Sequence, residues 1–275
     1  MKRLVVNADD FGWTPAITDG ILDAHAGGVL RSATWLAGAE GADDAVHKAP
    51  DTLDVGLHLA LTGVRPLSDP APFRPLLDAE GRLPPRHYPV LRWLMTTPGG
   101  RDAVEREWRA QYARFFDRWG RPPSHADSHQ HVALAPPLHG LFVRLAAEHG
   151  VHAVRAPVEV RRPGDLGPGG AKAHAEVVVL SALGAWLGRR AQAAGLATPD
   201  HFAGFRHSGR LDERALLALV SQIHPGTTEL MVHPGRADGP GGYRRRAERD
   251  ALLSPAVRAA LERAGVEVVA FRDLP

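Results

Sequence analysis

The sequence predicts an α/β fold, an irregular, TIM-barrel-like (β/α) barrel with mostly parallel strands, and three observations carry that expectation. The 275 residues, 44% of them hydrophobic, suffice to bury a full core in a single domain spanning 1–275. About eight strand-like apolar runs recur along the chain with helical stretches between them. Such alternation builds a parallel sheet, and eight units are the count of a closed barrel. The helices also carry their own start and stop signals.

"RLVVNA" reads as the first strand, and Thr14 with Pro15 then marks a helix start that Gly27-Gly28 ends. "RSATWLA" is the second strand, followed by a helix over 41–48. "DVGLHLAL" at 54–61 is the third and "SHADSHQHV" at 124–132 the fourth. Pro136-Pro137 opens a helix through "LHGLFVRLAAEHG", which Gly150 stops. "VHAVRAP" at 151–157, "HFAGF" at 201–205, "TELMVHPG" at 228–235 and "VEVVAF" at 266–271 complete the set. Two proline- and glycine-rich stretches, 62–100 and 158–181, read as long loop insertions. In the first, Phe73, Tyr88, Leu91, Trp93, Leu94 and Met95 either shield a substrate or pack on the barrel.

Composition excludes several function classes. With no cysteine, disulfides, thiolate catalysis and cysteine-held zinc are absent, so a metal site must use His, Asp and Glu. No apolar run is long enough to span a bilayer, and a cytoplasmic location is the expectation. The net charge is only +2; three of the 33 cations are lysines (Lys2, Lys48 and Lys172) and the rest arginines. No nucleic-acid partner is expected, and a homodimer is an open alternative. The basic run "YRRRAERD" at 243–250 reads as a solvated helix face.

In a parallel barrel the site lies at the carboxyl ends of the strands. Asp9 and Asp10 end the first strand, and adjacent side chains on an extended backbone point in different directions, so one can bind a metal while the other acts as a base. His58 interrupts an apolar strand, where an imidazole needs a partner. In "HADSHQH", His125 and His131 are too far apart along a strand to share an ion. His129 is favoured to reach the same point as Asp10 and His58, with His131 second and Asp127 and His125 in support. Of two His-Pro-Gly triplets, only the one beginning at His233 follows its strand, which makes His233 a candidate general acid, whereas His224 belongs to a turn. Arg155 either orients a hydroxyl of a substrate or sits in a loop salt bridge. An Asp-His-His set suits a divalent ion that activates water and equally serves iron oxygenases.

"NADDFG" at 7–12, "GLHLAL" at 56–61, "HADSHQH" at 125–131 and "ELMVHPG" at 229–235, in that order, resemble the YdjC/ChbG family of carbohydrate deacetylases. The resemblance spans most of the chain. It implies an irregular (β/α) barrel, a divalent ion, usually magnesium with zinc or cobalt as alternatives, and removal of the acetyl group from an N-acetylated amino sugar. Asp10, His58 and His129 then correspond to the metal ligands, Asp9 to the catalytic base and His233 to the acid. His131 is followed by Val132-Ala133, a departure from the His-x-His of chitooligosaccharide members that bears on sugar contact. "HFAGFRHSG" and "GGYRRRAERDALLSP" are similar to the hopanoid-associated branch, which implies an N-acetylglucosaminyl lipid in place of a free chitooligosaccharide. The rival expectations are another barrel metallohydrolase such as a phosphoesterase, and a non-catalytic sugar-binding protein.

Overall fold

The computed structural model describes residues 1–159, 170–239 and 242–275. All eight expected strands are present: β1 (Lys2–Phe11), β2 (Ser32–Trp35), β3 (Asp54–Leu59), β4 (His125–Ser128), β5 (Ala153–Val154), β6 (His201–Ala203), β7 (Gly226–Val232) and β8 (Val266–Val269). Every pairing is parallel, in the order β5-β4-β3-β2-β1-β7-β6. Isolated parallel bridges, Ala153 to Ala197 and Glu159 to Phe202, link the two edges of this curled sheet. The barrel is irregular at two places: this bridged seam, and β8, which pairs with β1 over Lys2–Val5 where β2 pairs only from Asn7 onward.

β1 is the axis of the fold because its apolar run is flanked on both edges. It pairs with β7 from Lys2 to Ala8, and every residue from Leu4 to Phe11 is buried. A strand covered on both faces reads as a continuous apolar run, and the polar residues that break it, Asn7, Asp9 and Asp10, therefore stand out.

The helices are α1 (Pro15–Gly27), α2 (Ala42–Lys48), α3 (His87–Thr96), α4 (Gly100–Trp119), α5 (Pro136–Glu148), α6 (Gly170–Ala193), α7 (Glu213–Val220), α8 (Arg245–Leu253) and α9 (Pro255–Arg263). The Thr14 side chain accepts from the Ile17 backbone N–H at the start of α1, as its cap position requires. Short 3-10 turns occupy Ala71–Leu76, His129–Leu134 and Phe271–Asp273. Among the described residues no helix is long and apolar enough to cross a membrane.

The two expected loops are corrected in part. Within 62–100, α3 forms despite Pro89, which falls in the helix's first turn where no intrahelical N–H is needed. Phe73, Trp93 and Leu94 of this stretch pack into the core, while Tyr88 and Met95 stay exposed. Of 158–181, residues 160–169 lie outside the described residues, and from Gly170 the chain is α6. The glycines and prolines just upstream hid a helical run that continues to Ala193.

One close approach ties the fold to the site. In α1, a Cβ on Gly20 would fall 2.3 Å from Cα of Gly235 and 2.7 Å from the Arg236 nitrogen. Gly20 thus lets the loop after β7 lie against α1, where the Arg236 amide donates to the Ala16 carbonyl. Gly20→Ala is expected to cost about 1–3 kcal/mol, the usual range for overpacking, and to displace the neighbouring His233. A melting temperature and turnover equal to the parent's would contradict this.

Candidate metal centre and active site

The site forms at the carboxyl-terminal end of the sheet, where Asp9 and Asp10 close β1, His58 lies near the end of β3, His129 follows β4 and His233 follows β7. A flat strand would send Asp9 and Asp10 to opposite faces. Here β1 advances from Ala8 to Phe11 while β2 advances only from Ala33 to Trp35, a β-bulge. Asp10 takes up the extra residue with φ +70°, a left-handed conformation that non-glycine residues adopt rarely. Both carboxylates consequently face one imidazole: Asp9 Oδ2 and Asp10 Oδ1 each lie 3.9 Å from His58 Nε2.

His129 Nε2 is 3.8 Å from the same Asp10 Oδ1. It reaches that point because β4 ends at Ser128, and Gln130 and His131 both adopt φ +53° and turn the chain away. The expected strand through 132 therefore stops four residues early. Each imidazole is anchored through Nδ1, His58 by Asp127 and Thr34 and His129 by the Thr62 hydroxyl (2.8 Å) and carbonyl (3.3 Å). Carboxylate or carbonyl acceptors on Nδ1 fix the tautomer that presents a free Nε2 lone pair, the arrangement found behind metal-binding histidines.

The charges of the site suit a cation. Asp10 Oδ1 and His58 Nε2 are buried with no hydrogen-bond partner among the described residues. Burial opposes a charge on His58, yet Asp127, Asp9 and Asp10 together push it up to about 9; a pocket that draws a proton onto an imidazole will draw a divalent ion instead. Among the described residues, the group whose ligand atoms all lie within 4.8 Å of one another is Asp9, His58 and Asp127. Their oxygens are already engaged, however. Asp127 holds His58 Nδ1 and Arg155, and both oxygens of Asp9 accept from Arg155, at 2.6 and 2.9 Å. The unpartnered atoms belong to Asp10 and His58, so Asp10, His58 and His129 could hold a divalent ion without breaking the pairs that Asp9 and Asp127 make.

Arg155 is buried, and its guanidinium contacts Asp9, Asp127 (2.7 Å) and Glu229 (2.8 Å). Of the two expectations for Arg155, the salt bridge is the one observed: it lies just past the end of β5, and its ion pairs are buried at the floor of the site. One guanidinium cannot neutralise three carboxylates. Against burial, Arg155 first and then His58 hold Asp9 well below the usual carboxylate range, whereas burial pushes Glu229 up to about 7.

His233 Nε2 faces Asp9 Oδ2 at 3.9 Å. Burial pushes this imidazole down to about 4, against the pull of Asp9 and Asp10, so it rests neutral at pH 7. His131 packs its ring near Phe202 and Phe205 at 6.0 and 5.6 Å. His125 lies at the start of β4, stacked on Phe271 and 3.0 Å from Asn7 Oδ1; it supports the core rather than the site. His224 lies in the turn before β7, with its ring 5.8 Å from that of His201.

The run 243–250 is corrected in part: Arg244, Arg246 and Asp250 are exposed as expected, but two residues between them are not. Arg245 and Glu248 are buried, not solvated: Arg245 Nη2 donates to Asp10 Oδ2 at 2.6 Å, and Glu248 accepts the His233 backbone N–H at 2.6 Å. Alternation of charge along a helix is common on exposed faces and carried no sign of a partner 235 residues away. Thr34 and Thr62 were missed for the same reason, since hydroxyls at strand ends are ubiquitous.

A family model described as "YdjC-like protein" matches residues 3–263. The chain is 31% identical over 281 residues to a carbohydrate deacetylase of Geobacillus stearothermophilus, covering 99% of this chain and 98% of that one. It is likewise 31% identical over 282 residues to a chitooligosaccharide deacetylase of Enterobacter sp. (strain 638), covering 99% of each. Among solved structures, a candidate cellobiose-phosphate cleavage protein of Enterococcus faecalis superposes with a TM-score of 0.76 at 26% identity, over 98% of this chain and 97% of that one.

Proposed function

The chain belongs to the YdjC-like family, and from that premise we propose that it is a metal-dependent hydrolase removing the acetyl group from an N-acetylated amino sugar. One observation carries the reading: Asp10 Oδ1, His58 Nε2 and His129 Nε2 converge, with Asp9 and His233 on the adjoining side. The names of the relatives, carbohydrate and chitooligosaccharide deacetylase, support the choice of an acetylated sugar over a phosphoester.

When bound by Asp10, His58 and His129, a divalent ion supplies a Lewis acid for the amide carbonyl and for a water molecule. Asp9, kept ionised by Arg155, is the base that takes a proton from the attacking water. Its Oδ2 is 3.9 Å from His233 Nε2, so the proton has a short route to a group that rests neutral and can receive it. His233 then protonates the departing amine, without which the tetrahedral intermediate would expel water. Each turnover moves one proton from water to amine and leaves both residues as they began.

Acetate release from diacetylchitobiose and from an N-acetylglucosaminyl lipid, after chelation and then with magnesium, zinc or cobalt restored, tests the reading. Release should vanish on chelation and return with the ion. Two imidazoles and one carboxylate suit zinc or cobalt as well as magnesium, so the ion that restores turnover identifies the working metal. Release that survives exhaustive chelation would sink the metal requirement, and no release from either substrate with metal bound would sink the deacetylase reading. The preferred substrate separates a free sugar from a lipid-linked one.

A further inference from the structure

We propose that Arg245 is a positioning residue for the metal centre: it occupies the second oxygen of Asp10, holds that ligand to one-oxygen coordination, and weakens the grip on the ion to what turnover needs. The inference rests on the reading of Asp10, His58 and His129 as the ligand set. Asp10 divides its oxygens, with Oδ1 toward His58 and His129 and Oδ2 accepting from Arg245 Nη2 at 2.6 Å. The arginine is 4% exposed, so this pairing is not screened by water.

The segment that carries Arg245 is itself clamped. Its guanidinium carbon lies 5.1 Å over the Tyr243 ring. That ring stands edge-on to His233 at 5.0 Å, and the Tyr243 hydroxyl is 3.0 Å from Ser208 Oγ. A Cβ at Gly209 would meet the Tyr243 ring at 2.5 Å. One turn further along α8, Glu248 holds the His233 and Leu211 backbone amides. The first turn of α8 therefore fixes Asp10 and His233 together, the ligand side and the proton-transfer side of one site.

A guanidinium here has opposite effects in the two states of the protein. Without the ion it offsets the buried charge of Asp10; with the ion bound it repels a like charge and denies it the second carboxylate oxygen. Removing it should destabilise the metal-free protein and tighten metal binding at once, whereas a residue that only docks α8 would weaken both.

The test uses the full chain and its Arg245→Met and Arg245→Lys variants, with Asp10→Asn as the non-binding control. Zn2+ affinity is measured by competition with a chromophoric chelator, and melting temperature with and without Zn2+. Arg245→Met should bind Zn2+ about tenfold more tightly, because a like charge has gone from the low-dielectric site, and should show a larger Zn2+-induced rise in melting temperature than the parent. Its kcat should fall by about 10–100-fold, the usual cost of losing a group behind a metal ligand. Arg245→Lys, which keeps the charge, should stay near the parent's affinity and also guards against misfolding of the Met variant. Equal or weaker Zn2+ binding by Arg245→Met in a parent that binds Zn2+ overturns the role of Arg245 alone. A folded parent that binds no Zn2+, or an Asp10→Asn variant that binds it undiminished, overturns the ligand set and this inference with it.

Discussion

Asp9→Asn is expected to lower kcat by about a thousandfold, within the range set by loss of a general base, while divalent-ion affinity stays within a few-fold of the parent. The substitution keeps the shape of the side chain but removes its capacity to accept a proton from water. Arg155 retains Asp127 and Glu229 as partners, so the floor of the site should hold. Metal affinity is the informative half of the experiment. If Asp9, His58 and Asp127 held the ion, the variant would lose it; if Asp10, His58 and His129 hold it, binding persists and only turnover collapses. Calorimetric titration of the variant beside a single-turnover assay distinguishes these outcomes, and a variant that hydrolyses substrate at the parent's rate removes Asp9 from the base role.

Arg155→Met should be the most destabilising single change in the site. It leaves Asp9, Asp127 and Glu229 buried without their shared cation, and breaking a buried ion pair from one side costs about 3–5 kcal/mol. At roughly 2–4 °C per kcal/mol for a chain of this size, the melting temperature falls by about 6–20 °C. The deficit also depends on pH in a defined direction. Burial already pushes Glu229 up to about 7 with Arg155 present, and without that cation the folded-state pKa of Glu229 rises further above its unfolded value of about 4. A carboxyl whose folded pKa is raised loses stability as pH climbs between the unfolded and folded values. The gap between variant and parent should thus be small near pH 4 and widen through neutrality. Thermal melts across that range that show a constant gap, or none, would mean that Arg155 does not balance these charges.

Much of the fold was legible because its signals are local. Apolar runs with strand composition, the Thr14-Pro15 start of α1 and the Pro136-Pro137 start of α5 depend on near neighbours only, and all reappear in the structure. Where local signals conflicted, the reading failed: Pro89 obscured α3, and the glycines and prolines before Gly170 obscured α6. His129, His58 and Asp10 were legible as a group because a parallel barrel brings strand ends together, a rule of topology that needs no coordinates.

By itself, then, the sequence determined the strands, their parallel arrangement, the end of the sheet at which chemistry collects, and that Asp9, Asp10, His58, His129 and His233 lie toward that end. The tertiary structure alone decided how the adjacent aspartates share one imidazole, through a bulge that places Asp10 at φ +70°. It alone decided which cation answers which carboxylate: Arg155 for Asp9, Asp127 and Glu229, and Arg245 for Asp10 across 235 residues. Periodicity records which side chains are buried, since that follows from the backbone repeat. Charge pairing follows from distances between segments far apart in the chain, and no local pattern encodes those.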